Sequence, residues 1–168
     1  MEQASDAIRN LVARYSDAVW RLDAQAYGAC WADDGVWAFM GQAVAGRDAI
    51  VPFWLEFMKN FRKAWQMINN PVLVIEGDRA SQRLYVEETV FALDGSIVVS
   101  KGIYHDDLVI ERGEWKFARR HFDLVYYGPA DMSGQLFETA SYGPAPTDPD
   151  PARPATPSME QFLAALAG

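Results

Sequence analysis

Three turn signals divide the second half of the chain: Glu76-Gly77-Asp78, Leu93-Asp94-Gly95-Ser96 and Glu111-Arg112-Gly113-Glu114. Glycine beside a polar residue supplies the positive φ that tight hairpins need, so each signal marks a reversal between two strands. Residues 64–127 therefore read as a meander of long strands. Asn69-Asn70-Pro71 bends or bulges the first of them, because proline cannot donate to a ladder. The part before it reads as helical. Ile8, Leu11, Val12, Tyr15, Val19 and Leu22 recur at three- and four-residue steps after Ser5, a good N-cap. Asp23 opens a short second helix that carries Tyr27, Cys30 and Trp31. Asp33-Asp34-Gly35 breaks it, and Val36 to Met40 reads as a short strand. Gly46-Arg47-Asp48 opens a third helix, with Pro52 in its first turn and an aromatic face of Phe53, Trp54 and Phe57. That helix is expected to end near Phe61. Helices followed by hairpins give an α+β fold rather than a doubly wound sheet.

A chain of 168 residues is one domain's worth and buries roughly two thirds of its unfolded surface. The domain is expected over residues 1–128. Residues 129–168 read as an extended Pro-rich tail, with six prolines between 143 and 157. The tail ends in a short amphipathic helix capped by Ser158, with Met159, Phe162, Leu163 and Leu166 on one side. A helix that short needs a surface to dock on. The chain carries 6 Trp, 7 Tyr and 9 Phe, more than a core of this size needs, which points to an aromatic-lined cavity.

Charge narrows the partners. The net charge is −8 and the longest basic run is Arg119-Arg120, so neither nucleic acid nor an anionic membrane surface is an expected partner. No apolar run approaches the roughly 20 residues that span a bilayer. Met1-Glu2-Gln3 opens no secretory signal, so a cytoplasmic location is expected. Cys30 stands alone and reads as a small buried apolar residue. No metal is expected, because no His/Cys/Asp/Glu group has ligand spacing and there are two histidines. Gly41 to Gly46 is not a phosphate loop, and no Gly-x-Ser-x-Gly elbow is present.

Several segments, in order, resemble the SnoaL-like branch of the nuclear-transport-factor-2-like superfamily. They are Arg14-Tyr15, Trp31-Ala32-Asp33-Asp34-Gly35-Val36-Trp37 and Ala45-Gly46-Arg47-Asp48-Ala49-Ile50. Asn70-Pro71 leading to Glu76-Gly77-Asp78-Arg79-Ala80, Gly102-Ile103-Tyr104-His105-Asp106 and Gly113-Glu114-Trp115-Lys116-Phe117-Ala118 complete the set. The resemblance covers residues 5–128. It implies a cone-shaped domain: a strongly curved antiparallel sheet closed by about three N-terminal helices, with a pocket between them. It implies no metal or organic cofactor for most enzyme members, and a homodimer or homotrimer. It does not fix the reaction, since dehydratases, isomerases, polyketide cyclases, carbon–carbon lyases and binding domains share this fold.

In the dehydratase and dehydrochlorinase members an aspartate near the end of the first helix and a histidine on the first long strand form the working pair. Those positions fall on Trp20 and Gln66 here, with Asp23 as the alternative aspartate. Tyr15 and Asp106 match the oxyanion-binding pair of ketosteroid isomerase, and Phe39 takes the place of that enzyme's base. Strand parity adds the rest. If Gln66 faces the pocket, so do Ile68 and Asn70. The same face carries Ala80, Gln82, Leu84, Val86 and Glu88, then Ser100, Gly102, Tyr104 and Asp106, then Ala118, Arg120 and Phe122. His105 and His121 have the opposite parity. Glu88 reads either as a desolvated general base or as a strand residue paired with Arg120. Asp106 reads either as a site acid or as a partner of Arg120, and Tyr15 as an oxyanion donor or a core tyrosine. Trp20, Trp31, Trp54, Trp65 and Tyr104 are candidate aromatic walls. The candidate set is Glu88, Tyr15, Arg120, Asp106 and Gln66 for chemistry, with Trp20, Tyr104, Trp54, Asn70 and Phe39 for binding. The expected activity is a cofactor-independent lyase on a small aromatic or polycyclic molecule, a dehydratase or a retro-aldol enzyme. A polyketide cyclase, an isomerase and a non-catalytic binding domain are the alternatives.

Overall fold

The computed structural model describes residues 2–136, 159, 160 and 164. Three helices precede most of the sheet: α1 (Glu2–Arg21), α2 (Ala24–Gly28) and α3 (Arg47–Met58). The strands are β1 (Trp31–Phe39), β2 (Gln42–Ala45), β3 (Phe61–Ile68), β4 (Val72–Glu76), β5 (Arg79–Ala92), β6 (Ile97–Glu111), β7 (Glu114–Gly128) and β8 (Gln135–Leu136).

The sheet runs β2-β1-β7-β6-β5-β3, with β4 on β5 and β8 on β7. Its pairs are antiparallel except β1, which lies parallel to β7. All three turn signals are hairpins. The Asn69-Asn70-Pro71 break separates β3 from β4, yet both pair with β5, to residues 86–92 and 79–83. They form one edge strand interrupted where proline removes the donor. Two register shifts between β6 and β7 add twist and bend the long strands into a curved, open, cone-like sheet.

α1 lays Ile8, Leu11, Val12, Tyr15 and Val19 against the concave face. It ends in a Schellman motif: Asp23 N–H reaches Ala18 O at 3.0 Å and Leu22 N–H reaches Val19 O at 3.2 Å, with Leu22 at φ +55°. Asp23 then caps α2 by accepting from Ala26 N–H at 2.9 Å. α2 stops at Gly28, so Cys30 lies past it and Trp31 begins β1. The Cys30 carbonyl accepts from Phe117 N–H at 2.9 Å, and Trp31 pairs with Phe117. Asp33-Asp34-Gly35 therefore breaks no helix; it forms an irregularity within β1. Asp33 pins that irregularity through ion pairs with Arg47 and Arg112.

Pro52 sits in the second turn of α3, not the first, and the helix gives way to β3 by Phe61. Past Gly128 the chain still follows the sheet, with Leu136 opposite Tyr126. Gly134 makes this possible: its N–H donates to the Tyr126 hydroxyl at 2.9 Å, and a Cβ there would meet the Tyr127 carbonyl at 2.6 Å. Met159 packs, partly buried, against the core. The stretch 143–157 and Phe162, Leu163 and Leu166 lie outside the described residues.

Candidate active site

A cavity opens between the concave face of the sheet and the helices α1 and α3. It encloses about 630 Å³ of empty space, mouth included. One side is aromatic. Trp37 and Phe39 alternate on β1 and stack with centroids 4.2 Å apart. Phe57 of α3 stands edge-on to both, and Phe61 stands edge-on to Phe57 at 5.3 Å. Trp54 also lines the cavity and is fixed from behind by stacking on Tyr27 at 4.1 Å. Edge-to-face and offset contacts of this kind hold each ring in one orientation.

The other side is polar, and strand register builds it. Gln66 on β3 lies opposite Glu88 on β5, which lies opposite Ser100 on β6. Gln66 Nε2 donates to Glu88 Oε1 at 2.7 Å and to the Tyr104 hydroxyl at 3.1 Å. Burial pushes the Glu88 carboxyl above its ordinary pKa; hydrogen bonds from Gln66 and Ser100 and the charge of Arg120 hold it back. Burial also raises Tyr15, against the pull of Arg120, and takes Tyr104 well above the usual phenol value. Both phenols therefore keep their protons at neutral pH and remain available as donors beside one poised carboxylate.

Beneath this polar wall sits a second layer. Arg120, 0% exposed, bonds Asp106 in a fork, Nε to Oδ1 at 2.8 Å and Nη2 to Oδ2 at 2.7 Å. Gln82 donates to the same carboxylate at 2.8 Å. The guanidinium carbon lies 4.3 Å from the Tyr15 ring centre, 4.1 Å from Tyr104 and 3.9 Å from Phe117. Burial works against this charge, and Asp106 outweighs it, so Arg120 stays ionised.

Of the residues singled out from the sequence, Glu88, Gln66, Tyr15, Tyr104, Trp54 and Phe39 line one cavity. Asp106 and Arg120 do not line it; they form the buried pair behind Tyr15 and Tyr104. Trp20 is outside. It falls off the buried stripe of α1, is 41% exposed, and lies against Trp65 at 5.6 Å with Lys63 over its ring. Trp65 projects from the opposite face of β3 and is 53% exposed. Trp31 is core. Asn70 occupies the exposed break between β3 and β4. Asp23 is a helix cap. Ala118 is the extra residue of a bulge, so Phe117 and Arg120 share the inner face instead. His105 and His121 face each other across β6 and β7, and neither lines the cavity. Reasoning from sequence missed Trp37, Phe57 and Phe61 as lining groups, whereas strand parity places Ser100 on the pocket face, where it lines the cavity. Parity with Phe39 marks Trp37.

No functionally curated protein matches the sequence. Solved structures share its fold. A Novosphingobium aromaticivorans protein provisionally assigned as an aromatic ring hydroxylase is 25% identical, with a TM-score of 0.71 over 78% of this chain and 96% of its own. A provisionally assigned scytalone dehydratase from the same organism is 21% identical, with a TM-score of 0.69 over 78% and 90%. A hexachlorocyclohexane dehydrochlorinase, LinA-type3 of Novosphingobium barchaimii, is 16% identical, with a TM-score of 0.69 over 82% and 96%. The pattern of the SnoaL-like domain matches residues 3–121, most of the chain and all of the cavity's strands up to the middle of β7, and the protein is a member of that family.

Proposed function

We propose that the protein is a cofactor-independent lyase acting on a small aromatic molecule, with Glu88 as its general base. One observation carries this reading: a desolvated carboxylate with a raised pKa lines an aromatic cavity within bonding reach of an amide and beside two protonated phenols. A base tuned upward by burial is better matched to proton abstraction near neutral pH. In a dehydration, Glu88 takes a proton from carbon and Tyr15 or Tyr104 protonates the departing hydroxyl. In a retro-aldol cleavage, Glu88 takes the proton of a hydroxymethyl group. The carbon–carbon bond then breaks, formaldehyde leaves, and the phenols hold the electron pair on the neighbouring oxygen.

Elimination is also what the names of two structural neighbours describe, but their likeness carries only the fold. A specific observation favours a second reading, a non-catalytic binding domain: Gln66 and Trp20 stand where the working pair of the dehydratase members is expected. Incubation with aromatic diols, hydroxymethyl aromatics and polyketide-like ketones separates the two. Turnover that falls roughly 10²–10⁴-fold in Glu88→Gln, with the fold retained, supports the lyase. Binding without product across the panel sinks it.

A further inference from the structure

Among the described residues, two buried polar atoms of the cavity-lining residues have no hydrogen-bond partner. Trp37 is 6% exposed, and its indole N–H has no acceptor. Gln66 is 9% exposed and spends its amide nitrogen on Glu88 and Tyr104, which leaves Oε1 without a donor. That orientation follows from Glu88 serving as the ionised base of the proposed reaction, because an ionised carboxylate only accepts and so faces the amide nitrogen. A buried polar group without a partner bears its full desolvation cost, which a ligand with the complementary group removes. The two atoms ask for opposite chemistry: an acceptor for Trp37 and a donor for Gln66.

Charge adds a third requirement. Among the described lining residues there is no Lys, Arg or His, and Glu88 is the charged one. Arg120 lies behind the rings of Tyr15 and Tyr104 and is already paired with Asp106. An anionic ligand would bring a second negative charge beside Glu88, with no cation among the described lining residues to offset it.

We propose that this cavity selects an uncharged aromatic molecule carrying one hydroxyl donor and one separate carbonyl or ether acceptor, and that it rejects aromatic carboxylates. Gln66 Oε1 accepts the hydroxyl, Trp37 N–H bonds the acceptor, and both are specificity-determining residues. The proposal rests on the cavity being the reaction site described above, and it concerns binding alone.

Three probes test it on the full chain by calorimetric titration at mildly acidic to neutral pH. 4-Hydroxyacetophenone carries both groups, 4-methoxyacetophenone lacks the donor, and 4-hydroxybenzoate is anionic. The first should bind at least about tenfold tighter than either of the others, the factor expected for one lost hydrogen bond to a buried partner. Trp37→Phe should lose about tenfold for the first probe. Glu88→Gln should narrow the gap to 4-hydroxybenzoate. Equal affinity for the carboxylate, equal affinity for the methoxy compound, or no binding of any probe overturns the proposal. The wild-type series decides it even where a variant does not fold. Selective binding without turnover upholds this inference and removes the lyase reading; turnover without the selectivity does the reverse.

Discussion

Deleting one half of the Asp106–Arg120 pair should cost this protein far more than deleting both. Asp106 accepts three hydrogen bonds of 2.7–2.8 Å, two from Arg120 and one from Gln82, and both members of the ion pair have fully buried side chains. Asp106→Ala strands a guanidinium in the interior, which costs roughly 3–5 kcal/mol. It also orphans the Gln82 amide. The three rings around Arg120 offset part of the loss, since a desolvated cation over an aromatic face gains about 2 kcal/mol. The net is therefore about 3–5 kcal/mol rather than the sum of every broken bond. For a chain of this length each kcal/mol moves Tm by about 2–4 °C, so the variant should melt roughly 6–20 °C lower. The double variant Asp106→Leu with Arg120→Met removes both charges and should recover most of that loss, because a buried pair replaced by apolar groups is often neutral. Thermal and urea unfolding of both single variants and the double variant give the coupling energy directly. A loss below about 1 kcal/mol in Asp106→Ala, or a double variant no more stable than the single ones, refutes the reasoning.

Glu88→Gln should change the pH dependence of stability. The folded-state pKa of Glu88 lies above its unfolded value, so its contribution is complete below the unfolded pKa and is lost as pH rises through the folded one. Wild-type stability should fall across that window relative to the variant, as read by urea midpoints at several pH values; parallel curves exclude it. Gly102→Ala should force Phe122 into the cavity, since a Cβ there would lie 2.1 Å from the ring and 2.9 Å from the Asp123 carbonyl. The expected outcome is a loss of about 1–3 kcal/mol with weaker ligand binding, and an unchanged Tm and affinity count against it. Leu22→Gly relieves the positive φ at the end of α1 and should raise stability by up to about 1 kcal/mol, measured by thermal unfolding.

Alternation made the polar wall legible. β5 and β6 pair without a register shift from Arg79 to Phe91, so counting by twos from Gln66 reaches Glu88, Ser100 and Tyr104. The same counting fails on β7, where Ala118 is squeezed out of the ladder with no glycine or proline to announce it. A bulge costs a residue of register and depends on how the neighbouring strand bends, which is a tertiary fact. Asp33-Asp34-Gly35 misled for a related reason. Its composition says turn, and the chain does deviate there, but Arg47 and Arg112 hold the deviation inside a strand. Trp20 is the instructive case, because the sequence itself argues against it. The stripe Ile8, Leu11, Val12, Tyr15, Val19 leaves position 20 about a third of a turn away from the core. Helical phase is set by burial along this chain, whereas a position inherited by resemblance is set by burial along another. Where the two disagree, the local periodicity has the physical cause behind it.

That distinction bears on how the site works. A carboxylate and a histidine on α1 and β3 would draw the chemistry to the helix side of the cavity. Here the helix supplies Tyr15, and the ionisable group of the cavity wall, Glu88, sits on the sheet, two strands from Arg120. The charges that matter are arranged by sheet register alone: Glu88 opposite Gln66, Asp106 opposite Arg120. Register cannot drift by one residue without sending every side chain to the other face, so it holds these groups more rigidly than a helix end does. The proposed lyase would draw its rigidity from the strands and leave the rings of α3 and β1 to sort ligands. Substitutions at Trp37, Phe57 and Gln66 should therefore change which molecules bind, while substitution of Glu88 should change what happens to them. A swap of those effects, seen as lost turnover at full affinity in Trp37→Phe, would place the chemistry on the wrong wall.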